Sequence, residues 1–233
     1  MLGRRGSPAL DPAFLAGRFT VQDEASQLVV GLLDPAPGER VLDVCAAPGG
    51  KSTAIAERVG PEGRVLALDR HARRLALVAR SARRLGLRNI VCSERDATRP
   101  ITDLNTPTAF DRVLVDAPCS GLGTLRRHPD ARWRVAAGDP DRLAEIQAAL
   151  LRNAAETVKP GGALVYSTCT VLPEENEWLV EAFLKRSPEF AIVASHQVPE
   201  EVRAVVGADG ALRCLPHRHT ADGFYAARLE RLS

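Results

Sequence analysis

Val41-Leu-Asp-Val-Cys-Ala-Ala-Pro-Gly-Gly-Lys51 decides the fold. A short apolar, β-branched run ends in a turn of small residues, and a helical pattern, Lys51–Val59, follows at once. The same alternation continues along the chain. Arg40–Cys45, Arg64–Asp69, Asn89–Cys92, Asp111–Ala117 and Gly162–Thr168 read as strands; His71–Leu85 and Asp141–Val158 read as further helices. The strands are almost continuously apolar, the mark of a parallel sheet covered on both faces. Repeated βαβ units imply right-handed crossovers and an open doubly wound α/β domain. Phe190–Ser195 and Gly223–Glu230 read as two more strands with no helix between them, an antiparallel pair at one edge. The expectation is a Rossmann-like, seven-stranded, mostly parallel sheet with helices on both faces.

Composition narrows the setting. The 233 residues are 45% hydrophobic and 26% charged, an ordinary globular balance. The 31 Lys+Arg against 29 Asp+Glu leave +2, so total charge does not advertise nucleic acid. Only Lys51, Lys159 and Lys185 are lysines, however, and arginine suits planar and phosphate recognition. Five cysteines (45, 92, 119, 169 and 214), with no CxxC pair, argue against a disulfide framework. Cys214-Leu-Pro-His217-Arg-His219 fits no standard zinc spacing, so no metal is expected. Without a signal-peptide pattern or a run of about 18 apolar residues, the expectation is a cytoplasmic, monomeric protein away from membranes. Residues 1–37 read as a lead-in segment with one helix, Asp23–Leu33, stopped by Pro35, Pro37 and Gly38. It would pack on a single domain spanning residues 38–233.

The turn after the first strand is neither GxGxxG nor GxxxxGK[ST], so it serves neither a dinucleotide pyrophosphate nor a triphosphate. Gly49 and Gly50 would let the backbone approach a ligand. Asp69, closing the second strand, suits a ribose diol. A ribose site without a phosphate cradle points to S-adenosylmethionine. Asp96, past the third strand, could meet the adenine amino group, although a lone loop carboxylate more often satisfies backbone N–H groups; its weight comes from lying on the same strand-end edge.

Asp116-Ala-Pro-Cys119-Ser-Gly-Leu-Gly123 follows the fourth strand and Ser167-Thr-Cys169-Thr170 the fifth. Neighbouring strands run about 4.8 Å apart, so both thiols would emerge at the carboxyl edge where α/β sheets bind ligands. A lone cysteine, such as Cys92, reads as a small buried hydrophobe. Two thiols beside a methyl-donor pocket read as chemistry. Carbon 5 of cytosine is a poor nucleophile until a thiolate adds to carbon 6 and makes it enamine-like, which is covalent catalysis. The thiolate needs nearby positive charge, for which Lys51 is a candidate, or backbone N–H groups, and ring N3 needs an acid such as Asp116. An amino-methylating enzyme would carry Asn/Asp-Pro-Pro-aromatic here, and Asp116-Ala-Pro-Cys119 is not that.

CAAPGGKS (45–52), LVDAPCSGLG (114–123), HPDARW (128–133), YSTCTVLPEENE (166–177), DGFYAARL (222–229) and the lead-in FTVQDEASQLV (19–29) together resemble the Sun (Fmu) family of RNA (cytosine-5)-methyltransferases. The likeness runs from about Arg18 to Leu229. It implies the class I S-adenosylmethionine-dependent methyltransferase fold over residues 38–233 and RNA as partner, with small-subunit ribosomal RNA the expected substrate. It further implies Cys169 as nucleophile and Cys119 as the thiol assisting product release. Cys45, Ala46, Ala47, Pro48, Gly49, Gly50 and Lys51, with Asp69, Asp96 and Asp116, would hold the cofactor, and Lys51 and Asp116 would lie near the base. Thr170 stands where serine is common, and Ser93-Glu-Arg-Asp96 lacks the glycine expected before the aspartate. Bacterial relatives acting on ribosomal RNA usually carry an N-terminal domain resembling the antitermination factor NusB, which this sequence does not show. The rival from another class is a non-catalytic RNA-binding or ribosome-assembly factor on the same fold.

Arg126, Arg127, His128, Arg132, Trp133 and Arg134 follow Cys119 and suit phosphates and a splayed base. The target cytosine must leave its stack to reach Cys169. On helix His71–Leu85, Leu75, Val78, Ala79, Ala82 and Leu85 share one face, and Arg73, Arg80 and Arg84 form a stripe expected to be solvated.

Overall fold

The computed structural model describes residues 7–101, 109–133, 135–136 and 138–232, so Arg134 lies outside the described residues. Strands β1 (Arg40–Asp43), β2 (Arg64–Asp69), β3 (Ile90–Glu94), β4 (Phe110–Asp116) and β5 (Val158–Thr168) pair in parallel in the order β3-β2-β1-β4-β5. Three further strands, β6 (Phe190–Ile192), β7 (Ala211–Cys214) and β8 (Phe224–Arg231), complete the sheet. β8 runs antiparallel beside β5 and is flanked by β6 and β7, each antiparallel to it. The sheet therefore has one strand more than expected, β7, and the long final strand lies inside the edge rather than at it.

Eight α-helices accompany the strands among the described residues: α1 (Pro12–Leu15), α2 (Glu24–Leu33), α3 (Gly50–Val59), α4 (Ala72–Arg84), α5 (Asp139–Ala155), α6 (Glu177–Arg186), α7 (Glu200–Arg203) and α8 (Pro216–His219). Adjacent strand residues serve opposite cores. Leu42, Val113 and Leu164 face α5 and α6, whereas Val41, Leu114 and Val165 face α2 and α3. Burial on both faces is why these strands read as continuously apolar. None of the described helices is long and apolar enough to cross a membrane.

The stretch between β6 and β8, read as holding no helix, contains the short α7 and α8, and two further assignments differ from the sequence reading for local reasons. Val158, expected to end a helix, begins β5, because Thr157 closes α5 onto Ala154 O and accepts the Phe110 N–H across the sheet. Helix α6 occupies a stretch read without a helix; Leu179, Val180 and Phe183 are its buried stripe while Trp178 stays exposed.

The expected arginine stripe on α4 also loses a member. Arg73 and Arg80 are exposed, but Arg84 donates to Phe14 O (2.7 Å) and Phe19 O (2.9 Å) and lies 3.8 Å from the Phe14 ring centroid. It ties the lead-in segment to α4. Helix α2, capped by Asp23 accepting from Ala25 N–H, packs against α3, β5 and β8.

Candidate active site

The carboxyl ends of β1, β2, β4 and β5 border a cavity of about 220 Å³. Cys45, Ala47, Asp69, Asp96, Asp116, Cys119 and Cys169, all singled out from the sequence, line it together. Asp69 is fixed by two backbone donors, Ala47 N–H (3.3 Å) and His71 N–H (2.9 Å). Asp96 is more exposed, and Thr98 hydroxyl and backbone donors hold its carboxyl below the usual range. Ile146 and Leu150, one turn apart on α5, add an apolar wall. Arg74 joins this lining unannounced by the sequence. It donates to Ala47 O (3.2 Å) beside the core residue Leu75, so helical period alone assigns it to the solvent side.

Of the turn's two glycines, Gly49 also meets a packing need. Gly49 adopts φ 109°, and a Cβ there would sit 2.8 Å from Val78 Cα of α4. Gly50 opens α3 and faces Gln22 of the lead-in segment. Pro48, Gly50 and Lys51 face a second, smaller recess with Gln22, Ser26 and Ala46.

A charged pair separates the two spaces. Lys51 Nζ lies 2.7 Å from Asp116 Oδ2, and Ser167 Oγ donates to Asp116 Oδ1 at 2.9 Å. Asp43, fully buried behind them, accepts from Ser52 Oγ at 2.6 Å. Burial pushes its pKa up to about 7 against the help of Ser52, with Asp116 adding repulsion. Below neutrality Asp43 thus adds little negative charge beside Lys51.

Parallel register brings the cysteines together. Asp116 stands opposite Ser167, Ala117 N–H bonds Ser167 O, and just beyond these residues Cys119 Sγ lies 3.4 Å from Cys169 Sγ. The two thiols are not equivalent. Donation from Cys119 S–H lowers the Cys169 pKa, and the Lys51 cation assists against burial and Asp116. Cys119, hydrogen-bonded to Cys169 and buried, is held well above an ordinary thiol. Burial, reinforced by the Asp43, Asp116 and Asp69 carboxylates, keeps Cys45 protonated too. Of these three cavity thiols, Cys169 is the one pushed towards thiolate.

Gly123 is the crossing point of the cysteine loops. Its N–H bonds Cys169 O (2.9 Å) and its carbonyl accepts Gly223 N–H (2.8 Å). A Cβ at Gly123 would lie 2.1 Å from Gly223 O and 2.7 Å from Cys169 O. Gly123→Ala is therefore expected to destabilise the fold by about 3 kcal/mol or more, since backbone on both sides must move. Urea unfolding measures it, and an unchanged midpoint would mean that the two glycines do not pack this closely.

The arginines after Cys119 are partly committed to the protein itself. Arg127 Nε donates to Asp222 at 2.7 Å and Arg126 stands 3.8 Å from the same carboxylate, which is fully buried. Both guanidinium groups remain about half exposed. Arg132 bonds Pro129 O, His128 is exposed, and Trp133 is 84% exposed. A groove of about 450 Å³ runs from Cys119 past Thr124 and His128 to Arg142. Elsewhere, His219 Nδ1 accepts Leu215 N–H, and no group of three or more metal-ligating side chains gathers among the described residues.

Residues 30–230 match the family described as 16S rRNA methyltransferase RsmB/F. The chain is 44% identical over 230 residues to the probable ribosomal RNA small subunit methyltransferase B of Synechocystis sp., covering 98% of this chain and 51% of that protein. It is 44% identical over 229 residues to the protein of the same name from Bacillus subtilis, covering 97% and 51%. The crystal structure of NSun6 from Pyrococcus horikoshii with SFG superposes with a TM-score of 0.87 at 29% identity, covering 98% of this chain and 57% of that one. The chain spans about half the length of the curated relatives it matches. With nearly all of its sequence matched and its Rossmann-like sheet shared, the chain belongs to the RsmB/F family of 16S rRNA methyltransferases.

Proposed function

We propose that this chain transfers a methyl group from S-adenosylmethionine to carbon 5 of a cytosine in RNA, with small-subunit ribosomal RNA the expected substrate. The observation that carries this reading is the 3.4 Å pair of Cys119 and Cys169 in the cavity that also holds Asp69 and Asp116. The cavity residues fit an adenosyl group: a carboxylate anchored for a ribose, an apolar slot by Ile146 and Leu150, and no phosphate cradle. When bound, S-adenosylmethionine supplies an electrophilic sulfonium methyl.

The protein's own groups divide the remaining work. Cys169 thiolate adds to carbon 6, which makes carbon 5 nucleophilic. Asp116, expected as the acid, is held by two donors, Lys51 and Ser167, and serves as an acceptor. The Lys51 ammonium is then the available donor for charge developing on the ring. After methyl transfer solvent water takes the carbon 5 proton, its electron pair re-forms the double bond between carbons 5 and 6 as the carbon 6–sulfur bond breaks, and the Cys119 S–H stabilises the departing Cys169 thiolate. The half-exposed Arg126 and Arg127, with Arg132, His128 and Trp133, supply the phosphate and base contacts beside the groove.

Incubating the chain with methyl-labelled donor and small-subunit ribosomal RNA, followed by nucleoside digestion, tests the proposal. Label in 5-methylcytidine is expected. Label on another atom would overturn the chemistry, and donor binding without transfer to any RNA would favour a non-catalytic assembly factor.

A further inference from the structure

Beneath the two thiols lies a buried polar network that the reaction itself does not use. Glu175 is fully buried, yet its carboxylate meets three donors on or beside the Cys119 loop. Ser120 N–H (2.9 Å) and Gln147 Nε2 (2.8 Å) donate to Oε2, and the Ser120 hydroxyl donates to Oε1. Gln147 also bonds Pro118 O at 2.9 Å, so the residues on both sides of Cys119 are tied to one anchor. Tyr166 OH in turn bonds Glu175 O at 2.6 Å, fixing that anchor to β5.

The neighbouring residue holds the other thiol. Asn176, also buried, donates to Thr170 O (3.2 Å) and accepts the Thr168 hydroxyl (2.5 Å), gripping both residues that flank Cys169. Ser120 Oγ and Thr170 Oγ1, 2.7 Å apart, bridge the two loops. Adjacent side chains thus carry the two cysteine loops from one rigid support. Burying a carboxylate is costly unless its oxygens are hydrogen-bonded, and here hydrogen bonds to the loop meet that need.

We propose that Glu175 is a positioning residue that holds the Cys119 loop so that the Cys119 thiol donates to Cys169. Glu175 touches neither substrate nor cofactor in this role and acts through Ser120, Gln147 and the Pro118 carbonyl. The proposal rests on Cys169 and Cys119 being the reacting pair, but its test needs neither RNA nor methyl donor. A chain that passes it and never methylates RNA fails only the activity reading.

The groups facing Cys169 are Cys119, Asp116 and Lys51. Glu175→Gln and Ser120→Ala leave all three side chains chemically unchanged and alter only the support that positions Cys119. The measurement is the pH dependence of Cys169 carbamidomethylation by iodoacetamide, mapped by mass spectrometry, with Cys119→Ala as the reference for complete loss of the donor. In all three variants the midpoint is expected to rise and the rate at neutral pH to fall by about tenfold, the effect of one pKa unit. Far-UV circular dichroism and the thermal transition identify the folded variants, and Ser120→Ala alone carries the test if Glu175→Gln does not fold. A folded Glu175→Gln or Ser120→Ala protein with the wild-type midpoint overturns the proposal. So does a Cys119→Ala protein with an unmoved midpoint, because the support would then have no S–H···S bond to set.

Discussion

Cys169→Ala is expected to stop methyl transfer, lowering the rate by about 10⁴-fold or more, because the attacking thiolate is lost and the neighbouring Cys119 is buried and held protonated. Cys119→Ala is expected to do something different. Attack by Cys169 is slowed but retained, whereas the departing thiolate loses its hydrogen-bond donor, so a protein–RNA adduct should accumulate and survive a denaturing gel. Labelled RNA run on such gels with both variants checks the pair of outcomes. A Cys169→Ala protein that still methylates, or an adduct trapped by Cys169→Ala instead of Cys119→Ala, would reverse the roles.

The contrast between the thiols comes from their surroundings. They are 3.4 Å apart, and Lys51 acts on Cys169, where its charge favours the anion. An S–H donor beside a thiolate stabilises it both before attack and after departure. It lowers the pKa at some cost in nucleophilicity and makes the sulfur a better leaving group. A pair built this way favours release as much as attack.

How much of this was legible in the sequence depended on whether the signal was local. The parallel strands were legible because burial on both faces writes a continuous apolar run, as Val41/Leu42 and Leu164/Val165 show by facing opposite cores. The cysteines, Asp69 and Asp116 were legible as a site because strand ends in an α/β sheet converge on one edge. Pairing was not: Ala211–Cys214 is too short to announce a strand, and nothing in Phe224–Arg231 says that it lies between β5 and β6. Helical period placed Arg73, Arg80 and Arg84 on solvent, but Arg84 turns to the carbonyls of Phe14 and Phe19, and Arg74, which the period did not single out, turns to that of Ala47. Both depend on which segment packs over α4. Glu175 and Asn176 stood inside a quoted motif, yet their purpose appears only when Ser120 and Thr170 are brought beside them. Motifs pointed to the chemistry proposed; the supports show only in three dimensions.

The Lys51–Asp116 pair yields the second large effect, and its two halves should move the pH profile in opposite directions. Lys51→Met keeps an unbranched stem near the Phe224 ring, 5.3 Å from the native ammonium, while removing the charge. It is expected to lower kcat/KM by about 10²–10³-fold through loss of the proton donor to the ring. It also leaves Cys169 facing Asp116 without a compensating cation, so the thiol pKa rises and the ascending limb shifts to higher pH. Raising the pH should then recover part of the rate. Asp116→Asn removes the charge that raises the Cys169 pKa, so its ascending limb should shift to lower pH. Its rate should still fall, because Lys51 loses the carboxylate that holds it at 2.7 Å. Rate profiles for the two variants, each at saturating methyl donor, decide the matter. Shifts in the same direction would mean that the pair acts on the thiolate by some route other than charge, and Lys51 would keep only its place beside the base.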